Sequence, residues 1–399
     1  MGGGFAAASS LRCSTGGILA AVPTDAPASP LPLAGLRVLD LSNVIAGPTS
    51  TRYLADFGAD VIKVERPDGD GVRTMGWRDP ADGTTLWWKL VNRNKRCIAL
   101  DLKDPDDLEV VLALSDRADV LVENFRPGTL ERLGLAPGVL LARNPRLVIT
   151  RVTGFGQDGP YAGRPGFASI AEALSGFVAV NGDADGAPLL PPIALTDELT
   201  GLAAAFATMV AVHSGVGQVV DVNLLETMFQ MMGPLISAYR LSDYLQPRLG
   251  SGIPYSVPRG TYRTSDGVWM AVSASSDTVA TRVMALLGLG DDERFATFEG
   301  RVAHREEIDA VVIEWIGSRT ADEVAVAFEE AHAAVAPVLD MAGIDQDPHY
   351  RARGIVADVE GVPMQGLIAR LSATPGRLGW VGRGIDADGD EIRAELADD

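Results

Sequence analysis

Short apolar runs alternate with helix-spaced apolar residues in the first part of the chain. Residues 36–41 and 61–64 are mostly apolar, and between them Tyr53, Leu54 and Phe57 recur at helical spacing. A short continuous apolar run is typical of a buried strand, whereas apolar residues spaced along one face are typical of an amphipathic helix. The pattern predicts a strand, a helix and a second strand, with a crevice at the end of the first strand that suits a phosphate-bearing ligand.

The alternation of strands and helices continues to about residue 154. Further strands are predicted at 97–102, 120–123 and 147–152, and a helix is predicted to begin at Pro105. Strands that alternate with amphipathic helices favour a parallel sheet with helices on both faces. The expected fold class is therefore α/β, with a large doubly wound domain.

The second half of the chain has a different pattern. Two helices are predicted at 197–213 and 224–241, and the first is dense in Ala and Gly, which suits close packing in a large interior. A loop, a strand and further helices follow at 245–257, 268–272, 277–286, 305–318 and 321–331. These elements predict a smaller α+β domain.

Domain boundaries follow from these patterns. Residues 1–32 are rich in Gly, Ala, Ser and Pro without periodicity, which is typical of a disordered extension. The other parts are a large α/β domain, a linker of helix and loop, the small domain and a C-terminal return to the large domain. Their predicted ranges are 33–225, 226–254, 255–350 and 351–399.

Composition and charge exclude several classes of protein. Of 399 residues, 47% are hydrophobic and 22% charged, as expected for a soluble globular protein. A net charge of −19 argues against a nucleic-acid partner, which needs clustered Lys and Arg. No uninterrupted apolar run is long enough to span a membrane, so no membrane partner is expected. Cys13 and Cys97 cannot form a disulfide framework and lack metal-ligand spacing, so we expect a cytoplasmic protein without a metal.

Basic residues are sparse in the first third of the chain, and several follow predicted strands. Arg66, Lys103 and Arg126 stand just after strand ends, and Arg132 lies a few residues further on. Cations beside backbone N–H groups hold phosphate oxygens through charge-assisted hydrogen bonds. The pattern indicates a phosphate-bearing ligand, although surface ion pairing is an alternative explanation for each residue.

A G-x-G-x-x-G motif is formed by Gly154, Gly156 and Gly159 after an apolar strand. In a dinucleotide-binding protein such a motif would open a helix whose N-terminus binds a pyrophosphate. Here Pro160 follows directly and more helix breakers come after it. We therefore expect a turn-rich loop near an active site instead of a nicotinamide or flavin site.

Three segments of the large domain resemble the family III CoA-transferases. They are ADVIKVERP (59–67), NRNKRCIALDLK (92–103) and VLVENFRPG (120–128), and the resemblance covers roughly residues 33–380. It implies a Rossmann-like large domain that holds the CoA moiety of a substrate, without a tightly bound cofactor, and an interlocked homodimer. The implied CoA contacts are Ile45, Ala46, Arg66, Leu100, Asp101, Leu102, Lys103, Asn124, Phe125, Arg126 and Arg132. The transferase branch often has Gln at position 45, so Ile45 could keep only main-chain contacts.

Asp197 is the expected catalytic residue. It lies in LTDELTGL (195–202), which is similar to the family segment that carries the nucleophilic aspartate. An Asp at the start of a long helix is also a common N-cap, and this alternative stays open. Glu198 is the fallback nucleophile, but its side chain is expected to point elsewhere on the helix.

The sequence departs from two branches of the family. Formyl-CoA transferases carry a Tyr-Glu pair where this chain has Phe167 and Ala168, and the lid-like Gly-rich loop of that branch is absent. Glu172 lies one turn later if 168–176 is helical, so it is a candidate supporting residue, with a surface glutamate as the alternative. The racemase branch uses a histidine where Phe167 stands, and a phenyl ring cannot exchange a proton.

The expected function is transfer of CoA from an acyl-CoA to a free carboxylic acid through an aspartyl-CoA thioester at Asp197. Formate and oxalate are not expected to be the acids. Two alternatives are a 2-methylacyl-CoA racemase or isomerase of the same superfamily and a CoA-binding protein without turnover.

Overall fold

The structure is a computed structural model that describes residues 31–397. The predicted disordered extension at 1–32 therefore lies almost wholly outside the described residues.

A six-stranded parallel sheet forms the centre of the first half of the chain. Its strands are β1 (Arg37–Asp40), β2 (Asp60–Glu65), β3 (Arg96–Ala99), β4 (Val120–Glu123), β5 (Val148–Thr153) and β6 (Gln218–Asn223). The order across the sheet is β3-β2-β1-β4-β5-β6, so the direction of strand addition reverses between β1 and β4. The predicted parallel sheet is confirmed. The edge strand β6 was not predicted, because Asp221 interrupts its short apolar run.

Helices cover both faces of this sheet. They are α1 (Ala46–Asp56), α2 (Leu86–Val91), α3 (Pro105–Arg117), α4 (Thr129–Arg132), α5 (Pro137–Arg143), α6 (Ala168–Leu174), α7 (Phe177–Val180) and α8 (Leu195–Ser214). Alternate residues of β1 point to opposite faces. Leu39 packs in a core with α3 and α5, whereas Val38 packs in a second core with α1 and α8.

Two shorter helices, α9 (Leu224–Gln230) and α10 (Leu235–Ser242), follow β6. The sequence pattern predicts one continuous helix over 224–241, and this prediction is wrong. The chain breaks at Gly233, which adopts a positive φ of 58°, and at Pro234, which has no N–H to continue a helix.

The next part of the chain has a core of its own. It contains an antiparallel sheet of β7 (Arg259–Arg263), β8 (Trp269–Ser273) and β9 (Ala334–Pro337). The sheet packs against α11 (Asp277–Leu286), α12 (Phe298–Ala303), α13 (Arg305–Gly317) and α14 (Ala321–Glu330). The helices predicted at 277–286, 305–318 and 321–331 are present within one residue at each end.

The C-terminal part returns to the large sheet. After α15 (Met341–Gln346), α16 (Pro348–Arg353) and the hairpin β10 (Val356–Val359) and β11 (Val362–Gln365), the chain runs without a helix or strand to α17 (Gly389–Ala397). The Asp388 carboxylate accepts a hydrogen bond of 2.8 Å from the backbone N–H of Cys97 in β3. The sequence pattern predicts the extended return but not α17.

Helix α8 packs against α1 and the sheet through small side chains such as Ala204, Ala205 and Ala211. By length and apolar composition alone, it is also the one helix among the described residues that could cross a membrane. The prediction from uninterrupted apolar runs did not identify α8 as such a helix, because Asp197 and Glu198 lie in its first turn. A helix that covers a sheet in a protein core can meet the same criteria.

Candidate active site

The loops that carry the expected CoA contacts lie at one edge of the sheet. Each of them follows the carboxyl end of a strand, and all strands of this sheet are parallel. In such a sheet, ligands bind in the crevice where the strand order reverses, which is here between β1 and β4. Asn124, just after β4, connects to the loop after β1 across this crevice. Its side-chain oxygen accepts a hydrogen bond from Asn43 N at 2.7 Å, and its side-chain amide donates to Asn43 O at 2.7 Å.

The predicted CoA residues differ in exposure. Ile45 and Ala46 begin α1 and are each 6% exposed. The side chains of Asp101, Lys103, Arg126 and Arg132 are exposed, as is that of Arg66, whereas Leu102, Asn124 and Phe125 are half-buried. Leu100 is fully buried in the core, so it can offer a ligand only its main chain.

Some of the predicted phosphate-binding cations already have partners. Arg66 Nε lies 3.2 Å from the Asp68 carboxylate, and Arg132 donates to Thr129 Oγ1 at 2.8 Å. Both contacts are at the surface, where solvent weakens them. The Lys103 and Arg126 side chains form no ion pair with any residue in 31–397 and remain free to bind an anion.

Asp197 is the third residue of α8 and is half-buried. The N-cap position is taken by Ala194, so the interpretation of Asp197 as a capping residue is wrong. Its carboxylate accepts no hydrogen bond from the described residues. Burial, followed by the charges of Glu172 and then Glu198, raises the pKa of Asp197 to about 6.

Glu172 lies on α6 and is 3% exposed. Its carboxylate accepts a hydrogen bond of 2.8 Å from Thr196 Oγ1, on the residue next to Asp197. The alternative that Glu172 is a surface residue is therefore wrong. The helix that carries it ends at Leu174, two residues earlier than expected, but it includes the turn on which the prediction depends.

Glu198 points away from Asp197 and toward α1. Its carboxylate lies 3.3 Å from Arg52 Nη2 and accepts a contact of 3.4 Å from Thr49 Oγ1. This arrangement agrees with the expectation that the Glu198 side chain points elsewhere on the helix.

A close approach of two helices joins Asp197 to the expected CoA loop. Gly201 lies one turn after Asp197, and a Cβ added there would lie 2.6 Å from Thr49 Cγ2 and 2.9 Å from the Ala46 carbonyl oxygen. Real Cβ atoms do not come so close, so only glycine lets α8 lie against the start of α1. Gly201 lies within LTDELTGL, but nothing in this motif predicts a contact between two helices.

The glycines of the G-x-G-x-x-G motif shape a loop. A Cβ on Gly154 would lie 2.7 Å from Gly166 Cα, and Gly156 and Gly159 have φ values of 89° and 83°. The next α-helix begins only at Ala168. The motif thus forms a turn-rich loop, as predicted, and this loop leads to α6 and Glu172.

Metal-ligating and thiol side chains were candidates for a second site in the described part of the chain. Within residues 31–397, no group of His, Cys, Asp and Glu side chains is arranged to hold a metal ion. Cys97 is buried in β3, and burial raises the pKa of its thiol to about 12, so it remains a neutral core residue.

Comparisons with known proteins identify the family of this chain. Residues 33–382 match the family model described as CoA-transferase family III. The succinyl-CoA–D-citramalate CoA-transferase of Chloroflexus aurantiacus is 39% identical over 92% of this chain and 94% of its own length. The succinate–glutarate CoA-transferase of Agrobacterium fabrum is 36% identical over 84% of this chain and 87% of its own length.

A solved structure has the same fold. The crystal structure of a CAIB/BAIF family protein from Brucella suis matches with a TM-score of 0.82 at 33% identity, over 92% of this chain and 100% of that one. The alternative of a CoA-binding protein without turnover is rejected, because the relatives named above are enzymes that match this chain over most of its length. The chain therefore belongs to CoA-transferase family III, the enzymes that move CoA from an acyl-CoA to a carboxylic acid.

Proposed function

We propose that this CoA-transferase exchanges CoA between succinyl-CoA and a short dicarboxylic acid, with Asp197 as the nucleophile. The observation that carries the assignment is the position of the Asp197 carboxylate, half-buried in the first turn of α8 beside the β1–α1 loop. No donor within residues 31–397 forms a hydrogen bond to it. The substrate class rests on the relatives, which are named for succinyl-CoA or succinate and for citramalate or glutarate.

The reaction proceeds by covalent catalysis. An Asp197 oxygen attacks the thioester carbonyl, the C–S bond breaks, and CoA leaves as a thiolate from a mixed anhydride. The thiolate attacks the aspartyl carbonyl, the first acid leaves as a carboxylate, and Asp197 carries CoA as a thioester. A second carboxylate repeats these steps in reverse. Every nucleophile is already an anion, so no proton has to be transferred.

The position of Asp197 on α8 supports this chemistry. The first backbone N–H groups of a helix have no partner within the helix, and together with the helix dipole they stabilise negative charge. A tetrahedral oxyanion that forms on either carbonyl lies near these donors. The Glu172 carboxylate opposes the charge on Asp197 and keeps this anion reactive.

Glu172 acts as a positioning residue. It binds the Thr196 hydroxyl and so fixes the first turn of α8 from the side of α6. This role replaces the supporting glutamate that formyl-CoA transferases have at the position of Ala168.

In this proposal, CoA binds at the carboxyl ends of the parallel strands, as ligands do in Rossmann-like domains. The loop before Ile45 and Ala46 lines the crevice, and Arg66, Lys103 and Arg126 contact the phosphates. Arg132 and the segments 100–102 and 124–125 complete the predicted site. The support for this placement is that all these positions follow strand ends at one sheet edge.

The chain acts as a cytoplasmic homodimer in this proposal. An apolar stripe on α8 supports the dimer: Leu202, Phe206 and Val210 recur once per turn and are 41%, 71% and 54% exposed. Contiguous apolar residues on a surface mark interaction sites. An acidic net charge and a buried, neutral thiol are compatible with the cytoplasm.

The test is direct detection of the covalent intermediate. Wild-type protein is incubated with succinyl-CoA and digested, and mass spectrometry is used to find CoA on the peptide that contains Asp197. Asp197→Asn is expected to lose the adduct and to reduce transferase activity at least about 1000-fold, because the nucleophile is missing. Glu198→Gln, the matched control on the next residue, is expected to keep the adduct.

Three results would contradict the proposal. They are an adduct on Glu198, full activity of Asp197→Asn, and exchange of the α-proton of a 2-methylacyl-CoA with deuterium in the absence of a free acid. The last result would indicate a racemase.

A further inference from the structure

We infer that four buried charged residues fix the loop over residues 41–48 in its ligand-binding shape before any ligand arrives, and that they are positioning residues for acyl-CoA. They are Asp40, Lys63, Asp70 and Lys95, called here the buried charge cluster. Asp40, Lys63 and Lys95 are 0% exposed and Asp70 is 3% exposed. The inference rests on the proposed function, which places CoA against this loop.

Asp40 fixes the start of the loop and the second turn of α1. Its carboxylate accepts four hydrogen bonds: from Ser42 N at 2.9 Å, from Ser42 Oγ at 2.5 Å, from Thr51 Oγ1 at 2.6 Å and from Lys95 Nζ at 2.9 Å. Opposite charges and hydroxyl donors hold the pKa of Asp40 well below its usual range, against the effect of burial. The carboxylate thus stays charged, and both of its oxygens accept hydrogen bonds.

Lys95 fixes the end of the loop. Its ammonium donates to Asp40 at 2.9 Å, to the Pro48 carbonyl oxygen at 2.8 Å and to Asn92 Oδ1 at 3.0 Å. A lysine ammonium has three N–H donors, so each one is used. Pro48 lies in the first turn of α1, and this contact ties the helix start to the strand end at Asp40.

Lys63 and Asp70 fix the middle of the loop. Lys63 Nζ donates to the Ser42 carbonyl oxygen and lies 3.3 Å from Asp70 Oδ2. The Asp70 carboxylate also accepts from Val44 N at 3.2 Å. The loop is therefore held at its start, middle and end by side chains that come from outside it.

The middle of the loop is strained. Val44 has a φ of 67°, in the left-handed region that a β-branched residue rarely adopts. Such a conformation persists only when its surroundings impose it, and it is often found at ligand sites. The hydrogen bonds of Asp70 to Val44 and of Asn124 to Asn43 impose it here.

The location of the cluster distinguishes it from an ordinary buried ion pair. Arg93 and Asp56 form another buried pair, at 2.6 Å, but Asp56 ends α1 at the far end from the loop. The buried charge cluster instead lies under the β1–α1 loop at the strand-order reversal. A loop that is already ordered loses less conformational entropy on binding, which strengthens affinity without a contact to the ligand.

The first experiment compares two variants that each break a buried ion pair. Lys95→Met is expected to raise KM for succinyl-CoA at least about tenfold, while kcat stays within about threefold and KM for the acid acceptor is unchanged. Asp56→Asn, the matched control, is expected to lower the thermal midpoint by a similar amount and to leave KM for succinyl-CoA unchanged. A KM that is unchanged in Lys95→Met, or raised equally in both variants, overturns the inference.

The second experiment needs no variant and covers the case in which Lys95→Met does not fold. Hydrogen exchange of the ligand-free wild-type protein is followed by mass spectrometry over residues 42–44. A preformed loop predicts slow exchange that CoA changes little, whereas fast exchange that slows on adding CoA overturns the inference. The CoA adduct on Asp197 tests the proposed function independently. Hydrogen exchange can therefore contradict the preformed loop while the adduct still supports Asp197 as the nucleophile, and the reverse also holds.

Discussion

At the scale of single residues, the ionisation of Asp197 depends on its partial burial and on the nearby Glu172 carboxylate. Partial burial disfavours the charged form of Asp197, and the nearby carboxylates of Glu172 and Glu198 add to this effect. The result is that Asp197, the proposed nucleophile, has a pKa raised to about 6 and is still largely ionised at neutral pH. Because the charges of Glu172 and Glu198 contribute to the raised pKa alongside burial, their contribution can be tested by titration and by substitution.

The first prediction concerns the pH dependence of the wild-type enzyme. Only ionised Asp197 can attack a thioester, and its pKa lies near 6. We expect kcat/KM for succinyl-CoA to be constant above about pH 7 and to fall about tenfold for each unit below pH 6. Steady-state rates between pH 4.5 and 8.5 measure this. A constant rate down to pH 5 would contradict the assignment.

The second prediction is that Glu172→Gln moves the acid limb of this profile to lower pH. The glutamine oxygen can still accept from Thr196, but the larger of the two carboxylate charges that add to burial in raising the pKa of Asp197 is removed. We expect kcat at pH 8 to fall less than about fivefold. Glu172→Ala, which also removes the hydrogen bond, is the comparison and should lose more kcat. If the limb of Glu172→Gln does not move, Glu172 does not act on Asp197 by charge.

The third prediction is that the nucleophile lowers the stability of the fold. The pKa of Asp197 is higher in the folded state than the ordinary 3.8, so ionisation destabilises the folded protein, most strongly above pH 6. Asp197→Asn is expected to raise the free energy of unfolding by about 1–2 kcal/mol at pH 8, allowing for partial exposure. The gain should shrink as the pH is lowered to 5. Thermal unfolding at both pH values measures it, and a destabilised variant at pH 8 would contradict the explanation.

At the scale of secondary-structure elements, the approach of α8 to α1 brings Asp197 toward the β1–α1 loop, which is proposed to bind CoA. The contact depends on Gly201, where a side chain would meet the backbone of Ala46. Strand and helix patterns predict both elements but not their closeness. Only the tertiary structure shows that Gly201 faces α1, whereas Gly138, also a helical glycine, faces open space.

The fourth prediction is that Gly201→Ala separates α1 from α8. The added Cβ must displace Thr49 or the Ala46 carbonyl, so we expect a loss of about 1–3 kcal/mol in stability and a lower kcat. The matched control is Gly138→Ala in α5, where nothing lies within 4 Å of the added Cβ. Alanine in an open helical position is neutral or stabilising. Thermal unfolding and steady-state kinetics of both variants measure the difference, and equal behaviour would contradict the prediction.

At the scale of the whole molecule, α8 presents an exposed apolar face that is formed by Leu202, Phe206 and Val210. That face is explained if a second copy covers it.

The fifth prediction is that Phe206→Glu weakens the proposed homodimer. Phe206 is 71% exposed in the middle of the α8 stripe, and a buried charge there would have no partner. Sedimentation velocity should show a dimer for the wild type and a monomer for Phe206→Glu at micromolar concentration. Val139→Glu, at an isolated apolar residue on α5 that is 45% exposed, should remain a dimer. A monomeric wild type would contradict the proposal.

The sequence by itself determined the alternation of strands and helices, the parallel sheet, the family and the choice of Asp197, because apolar periodicity and short motifs are local properties of the chain. Only the tertiary structure decided that Glu172 is buried against Thr196, that Glu198 turns to Arg52, and that Gly201 lets two helices meet. It also decided that Asp40, Lys63, Asp70 and Lys95 converge under one loop. These residues are far apart in the chain, and their charges and contacts take effect only when the fold removes water and brings them together.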